Sequence, residues 1–362
     1  MPRVWDEAAV RVRPSKKGSR PRTKERPSHD KAQIGRVITV DRGRYRVILD
    51  EGSPRERTVT AVRAKELRRQ GIVVGDRVGL VGDTSAHPGS LARLVRIEQR
   101  KTLLRRSADD TDPYERMVVA NASQLMIVVA AANPQPRTGF IDRSLVAAFE
   151  AGLHPVLCIS KTDLASPQPL LDYYARAELS ILFSRPASRP EPTAGDLTAL
   201  DPQLIERLQQ VLAGEVTVLL GHSGVGKSTL VNALTGAQRD TGVVNAVTGR
   251  GRHTSSSAFA LQPSACPAGT WIIDTPGIRS LGLAHVKPAN IVAAFTELAP
   301  ASADCPRGCR HDQTAQGCAI SAYVAQGYAG QCGPARLESL RRLLGVHQPP
   351  GAQAETETGV IE

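Results

Sequence analysis

Residues 216–230, Val-Thr-Val-Leu-Leu-Gly-His-Ser-Gly-Val-Gly-Lys-Ser-Thr-Leu, constrain this chain more than any other stretch. An apolar, β-branched run ends at Gly221, Gly-x-x-x-x-Gly-Lys-Ser follows, and a helical pattern opens at Thr229. Strand, glycine loop and helix in that order make a polyphosphate cradle. The glycines let backbone N–H groups turn onto phosphate oxygens, the lysine reaches the β- and γ-phosphates, and the serine hydroxyl ligates Mg²⁺. The expected nucleotide contacts are Gly221, His222, Ser223, Gly224, Val225, Gly226, Lys227, Ser228 and Thr229, with Ser228 on Mg²⁺ and Lys227 also serving catalysis. A plain glycine turn entering a helix would leave Lys227 without a purpose.

The rest of the 362-residue chain supplies context for this loop. Two or three domains are expected at this length, and 41% hydrophobic residues suffice for real cores. Aromatic residues are only 4%, so base stacking on aromatic rings cannot be the main mode of recognition. A net charge of +11 favours a polyanionic partner. No run approaches the ~18 apolar residues of a membrane span, so no transmembrane helix is expected, and the first residues lack the apolar core of a signal peptide. Three of the six cysteines cluster beside a histidine, which points to a metal site in a reducing compartment rather than a disulfide framework.

Residues 1–32 are basic and poor in apolar side chains and read as a disordered arm able to lie on a phosphate backbone. Across 33–98, runs beginning at Gln33, Tyr45, Arg57, Gly75 and Leu91 alternate apolar with polar at period two. Five short strands separated by turn residues predict a small closed barrel of OB type, with a helical turn at Lys65. The barrel is an oligonucleotide platform, and Arg36, Arg42, Arg44, Arg46 and Arg63 are its candidate backbone contacts. Arg100 to Ser107 reads as a basic linker.

From residue 110 the pattern becomes α/β. Leu125 to Ala130 is a fully buried strand by composition, Ile141 to Gly152 a helix ended by glycine, and His154 to Ser160 the next strand. That strand runs into Ser160-Lys161-Thr162-Asp163, which looks like the base-specificity motif of GTPases, usually Asn-Lys-x-Asp. Asp163 would accept hydrogen bonds from the ring N–H and exocyclic amine of guanine, and the Lys161 stem would lie along the base. Ser160 stands where Asn is usual; a hydroxyl still ties the loop, without the amide bond that Asn would add. Ser184 is a stand-in for the residue that contacts the guanine oxygen. A further helix and strand cover 171–182, and Leu204 to Leu212 is the helix before the phosphate-loop strand.

After the phosphate loop, Gly249-Arg-Gly-Arg-His253-Thr254 has the composition of a switch loop, in which Thr254 would give Mg²⁺ a second hydroxyl and sense the γ-phosphate. A strand then ends in Asp274-Thr-Pro-Gly277; Asp274 would hold Mg²⁺ through water and the Gly277 N–H would meet the γ-phosphate. Residue 278 is Ile where many GTPases carry a water-positioning Gln, so His253 is the candidate catalytic group. Farther on, Cys305, Cys309, His311 and Cys318 form a Cys₃His set for one structural zinc ion, with Cys332 outside it. Tyr323 to Leu344 reads as helical, with Arg336, Arg341 and Arg342 exposed.

The order of the motifs is the informative feature. The base-specificity motif precedes the phosphate loop and Asp-Thr-Pro-Gly follows it, whereas in ordinary GTPases the base motif comes last. The chain resembles the circularly permuted GTPases and, with a barrel in front and a Cys/His cluster behind, the RsgA family of small-ribosomal-subunit biogenesis GTPases, over residues 33–345. The residues and the resemblance together imply a multidomain α/β protein: an arm (1–32) and a disordered tail (348–362) by composition, and between them an OB-like barrel that binds RNA (33–98), a circularly permuted P-loop GTPase domain with a mostly parallel sheet (110–284) and a small helical zinc-binding domain (285–347). It also implies a cytoplasmic bacterial factor, expected to be monomeric, that uses GTP, GDP and Mg²⁺ and binds the small (30S) ribosomal subunit and its rRNA, with turnover stimulated by that subunit. Similar proteins usually space the first cysteine pair by four residues and the last pair by five, against three and six here. The contrasting reading is a nucleotide-regulated RNA-binding protein with negligible turnover, which Ile278 favours and Ser228 with Asp274 oppose. An ATP-using kinase is disfavoured by Lys161 and Asp163 and by the lack of an acceptor-site base.

Overall fold

The computed structural model describes residues 29–107, 114–184, 201–236, 258–275 and 281–345. Its first unit is the barrel. Strands β1 (Gln33–Asp41), β2 (Arg44–Leu49), β3 (Arg57–Arg63), β4 (Arg77–Gly82) and β5 (Ala92–Ile97) run in the order 1-2-3-5-4, and β4 closes onto β1. Within the barrel only β3 and β5 pair in parallel. The period-two pattern does what it must: Val37, Tyr45, Val47, Leu49, Val59, Val78, Leu80 and Leu94 fill the interior, and alternate residues face out. A 3₁₀ turn at Lys65–Leu67 links β3 towards β4, as expected. Arg42, Arg44, Arg46 and Arg63 are exposed. Arg36 is not available to a partner, because its Nε donates to Glu51 at 3.2 Å and its side chain is mostly covered.

The stretch read as a basic linker is in fact the first half of a hairpin: β6 (Leu103–Ser107) pairs with β7 (Glu115–Ala120). Leu104 and Val119, opposite each other, are both buried, and two of the arginines, Arg100 and Arg105, are paired with acids. Arg105 pairs with Glu115 at 2.5 Å, and Arg100 grips the buried Asp76 through Nε at 2.7 Å and Nη2 at 2.9 Å. That fork fixes the barrel against the hairpin.

The α/β unit follows: β8 (Gln124–Ala130), α1 (Thr138–Ala151), β9 (His154–Ser160), α2 (Gln168–Tyr173), β10 (Ser180–Phe183), α3 (Pro202–Leu212), β11 (Val216–Leu220), α4 (Lys227–Thr235), β12 (Phe259–Leu261) and β13 (Trp271–Asp274). The sheet order is β10-β9-β8-β11-β13-β12, parallel except for β12. Strand β8 explains the two-sided burial. Leu125, Ile127 and Val129 join the core under α1, and Met126, Val128 and Ala130 join the core under α3 and α4. Strand β12 also pairs antiparallel with β1, Thr39 opposite Phe259, so barrel and sheet are continuous.

The last unit packs α5 (Pro288–Ala294), α6 (Ala319–Ala325) and α7 (Gly333–Gly345) against α1 and the same core. The helical stretch expected from Tyr323 to Leu344 is two helices, broken where Gly327 and Gly330 take left-handed φ angles of 80° and 77°. Arg336, expected to be exposed, is buried at 2% exposure, while Arg342 is exposed. No described helix is long and apolar enough to cross a membrane.

Candidate functional site

The sheet order reverses between β8 and β11, and the loops after those two strands open at the same end of the sheet. Open α/β sheets bind ligands at such a switch point. The loop after β11 is residues 221–226. Gly224 and Gly226 hold φ at 81° and 89°, conformations that L side chains rarely adopt. Gly221 is required by close approach: a Cβ there would stand 2.5 Å from the Val128 carbonyl oxygen. Helix α4 starts at Lys227 directly after Gly226, so its first N–H groups and the loop amides share one concavity.

Lys227 Nζ donates to the Gly221 carbonyl at 2.6 Å. Burial pushes its ammonium below the usual value, and Asp274 nearby pulls it back up. A half-buried cation whose charge is disfavoured has a strong drive to pair with an anion. Ser223, Gly224 and Ser228 are exposed, and Asp274 ends β13 beside β11. Thr275 is fixed by its hydroxyl to the Leu219 carbonyl at 2.8 Å. His222 packs its ring on Phe140 with centroids 4.3 Å apart. Burial lowers its pKa, and the charges of Arg137 and then Lys227 lower it further.

Residues 160–163 sit on the other side of this loop. The Ser160 hydroxyl reaches the Val225 carbonyl at 2.7 Å and the Val129 carbonyl at 3.1 Å. One short side chain thus bridges the strand end, the neighbouring strand and the phosphate loop. Lys161 adopts φ 54° and donates through Nζ to the Asn133 carbonyl. Thr162 is buried and its hydroxyl contacts the Ser184 hydroxyl at 2.7 Å, so Ser184 lies beside residues 160–163. Asp163 is exposed, in the turn closed by the Leu164 N–H on the Lys161 carbonyl. His253, Thr254 and Gly277 lie outside the described residues, as do the arm up to residue 28 and the tail from 346. The sequence reading missed Asn133 and Phe140; the Asn-Pro pair after a buried strand was the available signal.

The third cluster lies in the last unit. One ligand atom from each of Cys305, Cys309, His311 and Cys318 lies within 4.8 Å of every other. His311 Nδ1 is 3.6, 3.5 and 3.7 Å from the three sulfurs. Metal–sulfur bonds of about 2.3 Å and metal–nitrogen bonds of about 2.05 Å at tetrahedral angles require sulfur–nitrogen separations of about 3.6 Å. The donor set therefore fits a four-coordinate metal ion despite the unusual spacings. Burial raises the Cys318 thiol, but Ser321, then His311 and Cys309, overcome this and hold it at about 6, so a thiolate is within easy reach. Cys332 is outside the cluster, and Cys158, sealed in the core, is pushed up to about 12 and is inert.

Comparison with known proteins agrees with this geometry. The family model described as RsgA GTPase matches residues 97–284. The small ribosomal subunit biogenesis GTPase RsgA of Azotobacter vinelandii is 33% identical over 281 residues, which are 75% of this chain and 74% of that protein. Its counterpart in Pseudomonas syringae pv. tomato is 34% identical over 276 residues, covering 75% and 74%. Among solved structures, YjeQ from Thermotoga maritima aligns with a TM-score of 0.62 at 24% identity, over 86% of this chain and 99% of that one. YloQ, a circularly permuted GTPase, aligns at 0.62 with 20% identity, over 90% and 99%, and both share the fold seen here. A phosphate loop that follows its base motif in the chain but touches it through Ser160 in space is the permuted arrangement, and the protein belongs to the RsgA GTPase family.

Proposed function

We propose that this chain hydrolyses GTP to GDP and phosphate as a cytoplasmic maturation factor of the small ribosomal subunit, whose rRNA it binds and which stimulates its turnover. The observation that carries the reading is the Ser160–Val225 hydrogen bond, which joins a guanine-reading motif to a phosphate loop. Relatives that match three quarters of the chain bear the name small ribosomal subunit biogenesis GTPase.

In this reading Asp163 accepts from the guanine edge and Lys161 lies along the base. The amides of 221–229 cradle the phosphates, and Lys227 exchanges the Gly221 carbonyl for a phosphate oxygen. Ser228, Asp274 and Thr254 would hold Mg²⁺, which neutralises charge on the β- and γ-phosphates when bound. The Gly277 N–H meets the γ-phosphate, and His253 orients the attacking water. Cys305, Cys309, His311 and Cys318 hold one structural zinc ion. Arg42, Arg44, Arg46 and Arg63 offer the barrel's exposed charge to an RNA backbone.

The test is GTP hydrolysis with and without purified small ribosomal subunits, with ATP as control. Stimulation confined to GTP is the expected result; equal use of ATP, or no response to the subunit, would sink the reading. Ile278 sits where a water-positioning Gln is usual, so turnover without the subunit should be slow.

Ser160→Ala removes one neutral hydrogen bond to the phosphate loop. The expected cost is about 1 kcal/mol, hence about fivefold weaker GDP binding in a fluorescent-nucleotide titration. Unchanged affinity would mean that the hydroxyl does not organise the loop.

A further inference from the structure

The second loop at the switch point, residues 131–137, leads from β8 into α1. One close approach and two contacts hold it against the nucleotide site. Pro134 Cδ is 3.9 Å from where a Cβ on Gly224 would stand. The Asn133 carbonyl takes the Lys161 ammonium. One turn into α1, Phe140 packs on His222. Arg137 stands between the second and third of these points as the N-cap residue of α1, three residues before Phe140. Arg137 has extended backbone and ends the loop, and the first turn of α1 that follows it carries Phe140 onto His222 of the phosphate loop. Its side chain is exposed, and among the described residues it forms no ion pair. The charges of Arg137 and Lys227 both act on the same imidazole, that of His222.

We propose that Arg137 is a phosphate-contacting residue of the nucleotide site, a second cation that joins Lys227 on the terminal phosphate of a nucleoside triphosphate. The inference rests on the GTPase reading above. A guanidinium suits this role, because it stays charged and its planar fork matches two oxygens of one phosphate. A residue that meets the terminal phosphate discriminates between triphosphate and diphosphate, which a base contact cannot do.

The measurement is the affinity of a non-hydrolysable GTP analogue and of GDP for the full chain and for Arg137→Ala and Arg137→Lys. Losing a charge-assisted hydrogen bond should weaken the analogue about tenfold in Arg137→Ala and leave GDP within about twofold. Arg137→Lys should recover part of the loss, because charge remains while the fork is gone. Equal weakening of both nucleotides, or no change in either, would remove Arg137 from the phosphate site. Failure of the underlying reading has a different signature: the wild-type chain would bind neither guanine nucleotide, or Lys227→Ala would bind both as tightly.

Discussion

Arg336→Ala is expected to destabilise the protein by about 3–5 kcal/mol, read as a lower denaturant midpoint, because it strands buried carboxylates. Arg336 comes from α7, yet it donates to Asp142 of α1 and, through Nε at 2.5 Å, to Glu297 after α5. Its guanidinium also lies 4.5 Å from the Phe295 ring centroid, 5.0 Å from that of Tyr174 and 5.4 Å from that of Tyr173. One side chain therefore fastens the last unit to the GTPase unit. Burial raises the Asp142 carboxyl, while Arg336, Ser339 and Tyr174 oppose that rise. Without Arg336 it must rise further. A carboxyl whose folded pKa exceeds its unfolded one binds more protons when folded, so stability falls as pH rises above the unfolded value. The deficit of Arg336→Ala should thus be larger at pH 7 than at pH 5. A variant within 1 kcal/mol of wild type, or a deficit that grows on acidification, would refute this account. In a double-mutant cycle with Asp142→Ala the two losses should not add, since the side chains share one network.

This anchor also marks where the sequence stops being readable. The phosphate loop, Asp274-Thr275, residues 160–163 and the Cys/His cluster are local patterns: a few residues at fixed spacing carry the chemistry, and spacing survives in one dimension. The barrel strands were legible for a related reason, since period-two alternation reports one buried face. Arg336 has no such signal. An arginine on a helix reads as solvated, and only the return of α7 onto α1 supplies the Asp142 and Glu297 that make burial tolerable. The hairpin hidden in the basic stretch 100–107 was missed for the same reason, because Asp76 takes Arg100, and Glu115 and Glu150 take Arg105, only once the chain has folded. Arg137 looks like an ordinary surface charge until the strand order sets its loop opposite the phosphate loop.

Treating the protein with a chelator that removes metal from the Cys₃His cluster is expected to lower the melting temperature by about 10 °C or more, a loss of several kcal/mol at about 2–4 °C per kcal/mol. The segment from Cys305 to Cys318 has little else to order it: a 3₁₀ turn before it, few apolar side chains, and His311 and Gly317 held at φ 59° and 68°. Such a loop relies on its ion, as metal-nucleated domains do. The damage should spread further than the loop. Cys318 is the N-cap residue of α6, whose Ile320 and Val324 enter the common core. The His311 carbonyl takes Arg341 Nε of α7 at 3.0 Å, and Arg341 Nη2 reaches the Ser321 hydroxyl at 2.9 Å. Helix α7 is the one that carries Arg336, so loss of the ion loosens the anchor just described. Elemental analysis should find one zinc per chain, absent in Cys318→Ser, and this variant should melt like the chelated wild type. A chain that holds no metal and melts at the same temperature with and without chelator would reduce the cluster to four neighbouring polar side chains.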